Sequence, residues 1–137
     1  MDENAVVAAI CTHLTNAGYA ILQRLSTTGQ GIDMIAKHPN KSGRLLVEAK
    51  GGTSSRVGSA RYGKPYDDNQ VFDRVGKGFY TAGCLYSRHR ANGDEVALAF
   101  PDLPLFRKYI GLVKPALVDL GITVFLADPN TQNVIVF

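Results

Sequence analysis

The sequence predicts an α/β fold: a sandwich with a central mixed β-sheet flanked by helices, its elements in the order α-β-β-β-α-β-α-β-β. Three observations carry this reading. Two apolar runs flank the turn residues Pro-Asn-Lys-Ser-Gly at 39–43, which is hairpin chemistry. Farther along, segments with helical spacing separate the remaining strands, as crossover connections require. The chain has 137 residues, 45% apolar and 20% charged. That is the size and composition of one domain able to bury a core without crosslinks. No repeat or linker divides it, so a single domain over 1–137 is expected.

The elements follow in order. Asp2 caps a helix running to about residue 17, with Ala5, Val6, Ala9, Ile10, Leu14 and Ala17 at helical spacing and Gly18 as its stop. Residues 19–28 (YAILQRLSTT), 31–38 (GIDMIAKH) and 44–50 (RLLVEAK) read as strands, the last two forming the hairpin. Both strands of the hairpin carry apolar residues on both faces, so they belong in the middle of the sheet. Residues 51–68 hold four glycines, three serines and three basic residues. They read as a flexible loop, and loops of this length are usually functional or disordered. Asp67 and Gln70 have the spacing of a capping box and start a helix to about residue 86, with Phe72, Val75, Phe79 and Ala82 as its apolar stripe. DEVALAF at 94–100 is a strand, 104–120 a helix kinked at Pro115, and 122–128 and 133–137 are the closing strands.

Composition narrows the function classes. The formal net charge of +3 permits an anionic partner without demanding one. Cys11 and Cys84 form no Cys-x-x-Cys and no local pairing with histidine, so a zinc site is not expected. The acidic start Met1-Asp2-Glu3 is unlike a secretory leader, and no apolar run approaches the ~20 residues that span a bilayer. A cytoplasmic protein with reduced thiols and no membrane partner is the expectation. His13, His38 and His89 are scattered, which gives a histidine-based nuclease no support, and Ser54 and Ser55 lack a His-Asp partnership.

The informative residues are charges inside the hairpin. Side chains alternate across a strand, so Glu48 and Lys50 share a face with Leu46, and Asp33 shares one with Ile35. If His38 pairs with Gly43 across a four-residue loop, Asp33 stands opposite Glu48; a shift of two residues sets it opposite Lys50. Either way the three charges meet on one sheet face, with opposed Cβ atoms roughly 5 Å apart. Two carboxylates that close repel unless a cation intervenes. Mg²⁺ suits the donors, since it takes one or two protein carboxylates, carbonyls and waters, and the Ala49 backbone carbonyl adds one oxygen from the same strand. Lys50 then stands beside the attacking water, where it helps generate hydroxide or stabilises charge building on a phosphate. The same spacing also reads as a plain Glu48–Lys50 ion pair at a strand end.

"GID", fourteen residues, then "EAK" resembles the motif of the PD-(D/E)xK nuclease superfamily, the fold of many restriction enzymes and Holliday-junction resolvases. Asp33, Glu48 and Lys50 match residue by residue, while Ile32 stands where the motif is named for Pro. The α-β-β-β-α-β order through residue 100 resembles that fold's common core. The resemblance implies a restriction-endonuclease-like sandwich and a phosphodiesterase that hydrolyses nucleic acid, DNA ahead of RNA, by a metal-activated water. It implies Mg²⁺, with Mn²⁺ as a substitute, and allows a homodimer. Asp33 and Glu48 would hold the metal with the Ala49 carbonyl, and Lys50 would assist the water.

Further residues stand in support. In enzymes resembling this one an acid on the first helix completes the metal site, and Glu3 is placed to do so; it equally complements a helix N-terminus. Gln70 is the candidate for positioning water or phosphate as a fourth catalytic residue. Arg74 and Lys77 follow it at helical spacing, opposite the expected apolar stripe, as nucleic-acid contacts or as a solvated face. Arg56, Arg61 and Lys64 in the loop supply cations for phosphates, and Tyr62 and Tyr66 supply rings for unpaired bases. Arg88, His89 and Arg90 read as a solvated turn. Two competing readings are a non-catalytic nucleic-acid-binding module of the same fold and a toxin nuclease domain cleaving tRNA.

Overall fold

Asp2 opens the first helix as its composition requires: Oδ1 accepts the Ala5 N–H at 2.9 Å, satisfying a donor the helix leaves unpaired. The computed structural model describes residues 1–26, 29–54 and 57–137. Its elements are α1 (Glu3–Asn16), β1 (Ala20–Arg24), β2 (Met34–Lys37), β3 (Leu45–Ala49), α2 (Asp68–His89), β4 (Glu95–Pro101), α3 (Pro104–Leu120), β5 (Thr123–Ala127) and β6 (Val134–Val136), with one 3₁₀ turn at Arg90–Asn92. Gly18 ends α1 in the left-handed region at φ +92°. There the Tyr19 N–H reaches back to the Leu14 carbonyl at 2.9 Å, a turn that costs a glycine little.

The strands form one six-stranded sheet in the order β1-β2-β3-β4-β5-β6. The outer pairs are antiparallel, while β3, β4 and β5 run parallel. Parallel neighbours need a crossover; α2 supplies it between β3 and β4, and α3 between β4 and β5. Helix α1 covers one face through Val6, Ile10 and Leu14, packed with Met34, Val47 and Ala99. Helices α2 and α3 cover the other through Val75, Ala82, Phe106 and Ile110, packed with Leu46, Leu98 and Phe100. This is the expected mixed-sheet sandwich. None of the described helices is long and apolar enough to cross a membrane.

Five local expectations change. β1 ends at Arg24 rather than 28, and Thr27 and Thr28 lie outside the described residues. β2 starts at Met34 rather than 31: at position 33 the side chain, not the backbone, bonds β3, while the backbone carbonyl accepts the Leu25 N–H at 2.8 Å on the other side. The buried stripe of α2 is Val71, Val75, Gly78, Ala82 and Leu85; Phe72 lies outside it, 62% exposed. Small residues win that face because the sheet comes close: a Cβ on Gly78 would lie 3.1 Å from the Phe100 ring. The described residues of the loop ahead of α2 form no helix or long strand, yet its base is tied by Thr53–Pro65 and Ser54–Tyr62 bridges and by Tyr66 N–H to Gly52 O at 2.9 Å. Helix α3 runs unbroken through Pro115.

Candidate active site

The hairpin ladder pairs Met34 with Val47, Ile35 with Leu46 and Ala36 with Leu45. Continued one step, it sets Asp33 opposite Glu48, the register a four-residue turn demands. Asp33 stands just off the ladder and uses its side chain instead: Oδ2 accepts the Ala49 N–H at 2.8 Å. Its carboxylate is thereby fixed against the last residue of β3. Ile35 and Leu46 pack in the α2/α3 layer, so Asp33, Glu48 and Lys50 all open to that side of the sheet.

Glu48 is buried at 6% exposure, the only charged residue so buried among those described. Burial raises its carboxyl to about 7; the Lys50 ammonium pulls against this, and the adjoining Asp33 carboxylate adds to it. Lys50 Nζ donates to Glu48 Oε1 and to the Ala49 carbonyl at 3.3 Å. Two of the three oxygen groups assigned to a metal therefore already converge on one cation. Two carboxylates and a carbonyl match the donor type and number that Mg²⁺ accepts with waters. Among the described residues no group of three or more His, Cys, Asp and Glu is placed to hold a metal. Glu3 stands beside the pair without joining it in such a group.

Glu3 is nonetheless close enough to sense the site. Burial raises its carboxyl, Lys50 lowers it and Asp33 raises it further, with Arg74 also felt. Gly51 makes this approach possible, since a Cβ there would lie 2.3 Å from the Glu3 backbone nitrogen. The neighbouring Gly52 N–H bonds the Met1 carbonyl at 2.9 Å. The glycine pair after Lys50 thus serves as the seat of α1, besides leading into the loop.

The other expected residues divide. Arg74 lies on the flank of α2 beside its buried stripe, not opposite it, and lines a cleft of about 500 Å³ with Lys50 and Lys77. Its guanidinium lies 5.1 Å over the Tyr66 ring and donates to the Tyr66 hydroxyl at 3.2 Å. Lys77 pairs with Asp73 at 2.9 Å. Gln70 is half-buried and engaged in the helix cap, its Oε1 accepting the Asp67 N–H at 3.0 Å. Arg61 and Lys64 are exposed on the loop, Arg61 donating to the Pro65 carbonyl at 3.2 Å. Arg56 lies outside the described residues. The Tyr66–Arg74 contact and the Gly51 approach went unread in the sequence, although two adjacent glycines after a buried strand are themselves a sign of close backbone approach.

Fold and site together define a restriction-endonuclease-like α/β sandwich with two carboxylates and a lysine at its hairpin. No protein-family model matches the sequence, and no curated protein matches it. Among solved structures, the chain is similar to an XisH family protein from Nostoc punctiforme, at 14% identity and TM-score 0.55 over 96% of each chain. It is also similar to a fdxN element excision controlling factor protein from Anabaena variabilis, at 14% identity and TM-score 0.50 over 96% of each chain. At such identity the likeness is one of fold.

Proposed function

We propose that the chain is a divalent-cation-dependent nuclease acting on DNA in preference to RNA. The observation that carries this is the meeting of Asp33, Glu48 and Lys50 on one sheet face at the open end of the hairpin. Asp33, Glu48 and the Ala49 carbonyl would hold Mg²⁺ or Mn²⁺, which neutralises the two acids and lowers the pKa of water. Asp33 is oriented by the Ala49 N–H, so its carboxylate is set before substrate arrives. Lys50 leaves Glu48 and donates to the phosphate oxygen on which negative charge builds as water attacks phosphorus and the P–O bond of the leaving nucleotide breaks. Arg74, braced by Tyr66, holds a neighbouring phosphate. Glu3 tunes the field at the site's edge.

The test is cleavage of duplex, single-stranded and branched DNA and of tRNA with Mg²⁺. Cutting of at least one DNA form is expected, lost on chelation. Asp33→Ala and Lys50→Ala should each lower the rate at least about a hundredfold; full activity in both would remove the mechanism. A binding module that does not cut is the second reading, favoured by the closed Lys50–Glu48 pair. Calorimetry decides it: absence of any divalent-ion binding that depends on Asp33 supports that module.

A further inference from the structure

The cleft beside Lys50 carries two kinds of side chain along α2. Lys50, Arg74 and Lys77 bring positive charge against one acid, Asp73, which Lys77 already pairs. Phe72 and Tyr80 bring rings that are 62% and 75% exposed. Single exposed rings are ordinary; here two line one cleft. Phe72, Gly76 and Tyr80 stand at i, i+4 and i+8, so the two ring positions are about 12 Å apart along the helix.

Gly76 between them is unexplained by packing. A Cβ there would meet nothing within 4 Å, yet glycine is costly in a helix interior. Its effect is to leave the floor open between the rings. The Phe72 ring is steadied by an edge-on contact with Tyr109 at 5.5 Å. Rings with a cleared floor between them, next to cations, suit bases with their phosphates. About 12 Å is also the rise of roughly three to four stacked nucleotides. A closed duplex keeps its bases inside and offers the rings nothing.

We propose that this groove, floored by Gly76 between Phe72 and Tyr80, docks an unpaired stretch of nucleic acid and feeds it to Lys50. The substrate class is then single-stranded or locally unpaired nucleic acid. The cutting of that strand rests on the nuclease reading above; its binding does not.

The experiment measures fluorescence anisotropy in EDTA with three labelled probes: a short oligothymidylate, an abasic strand of equal length and a blunt duplex. The parent protein should bind the oligothymidylate most tightly. The double variant Phe72→Ala/Tyr80→Ala should weaken that binding roughly tenfold or more, to the abasic level, and leave duplex binding unchanged. Gly76→Leu should weaken it likewise while melting no lower than the parent, since the change removes a helix glycine. Parent-like binding of the oligothymidylate by both variants overturns the proposal. So does a parent dimer in sedimentation that becomes monomeric in the double variant with oligonucleotide affinity unchanged, because the face is then a contact between two copies. Selective binding without Mg²⁺-dependent cutting would sink only the nuclease reading. Cutting of single strand and duplex alike, indifferent to these variants, would sink only the groove.

Discussion

Glu48 holds a carboxyl where burial resists its charge, and that has a measurable consequence without metal. Its folded pKa, about 7, lies above the value near 4.3 of an unfolded Glu. Between these values the folded state keeps a proton that the unfolded state has lost. Stability therefore falls as pH rises through that window, by up to about 4 kcal/mol, and it is fully present below it. Chemical denaturation of metal-free protein at a series of pH values should show this slope, and Glu48→Gln should flatten it. Mg²⁺ should act in the opposite sense. On the proposed function it would bind the ionised site, so the melting temperature should rise with Mg²⁺ at pH 8 and much less at pH 5, and Asp33→Asn should erase the rise. The three hairpin charges could be read from sequence because strand alternation and turn length leave few registers. The Tyr66–Arg74 brace could not, since it joins a loop residue to a helix flank by a contact no period encodes.

Among the elements, α2 does most to shape the site: it closes the hairpin's charged face and carries Arg74 and Lys77. It starts at Asp67, whose side chain accepts the Gln70 N–H at 2.9 Å while Gln70 answers through Oε1. Asp67→Ala should cost about 1 kcal/mol of stability in denaturant melts. Gln70→Ala should cost less than that, and any larger loss confined to cleavage rate would mark Gln70 as part of the chemistry. At the other side, Gly51→Val should cost about 1–3 kcal/mol by pushing α1 off β3. A variant as stable as the parent would show that α1 can shift freely. Every helix and strand was foreseeable in order from apolar spacing and turn residues. The inward face of α2 was legible only in part: Val75 and Ala82 lie in it as expected, but Phe72 does not. Bulk is a poor guide where a helix packs close on Phe100, and there Gly78 faces in while Phe72 faces out.

For the molecule as a whole, whose net charge is +3, the proposed binding of nucleic acid should be salt-dependent, because its cations would displace counterions from phosphates. The logarithm of affinity for single strands should fall linearly with the logarithm of salt, with slope about −0.7 per phosphate neutralised, and Arg74→Ala should reduce the slope by about 0.7. An unchanged slope would place Arg74 away from phosphate. The sheet's spatial order, β1 to β6, repeats the order of the chain, and this bears on how the protein is made. On the ribosome each strand emerges to find its neighbour already present, so the sheet can grow at one edge without threading or waiting for the C-terminus. Asp33 and Glu48 emerge before α2, so for that interval their carboxylates remain in water. The cost of burying Glu48 arises only when the second helix arrives to cover a hairpin that has already formed.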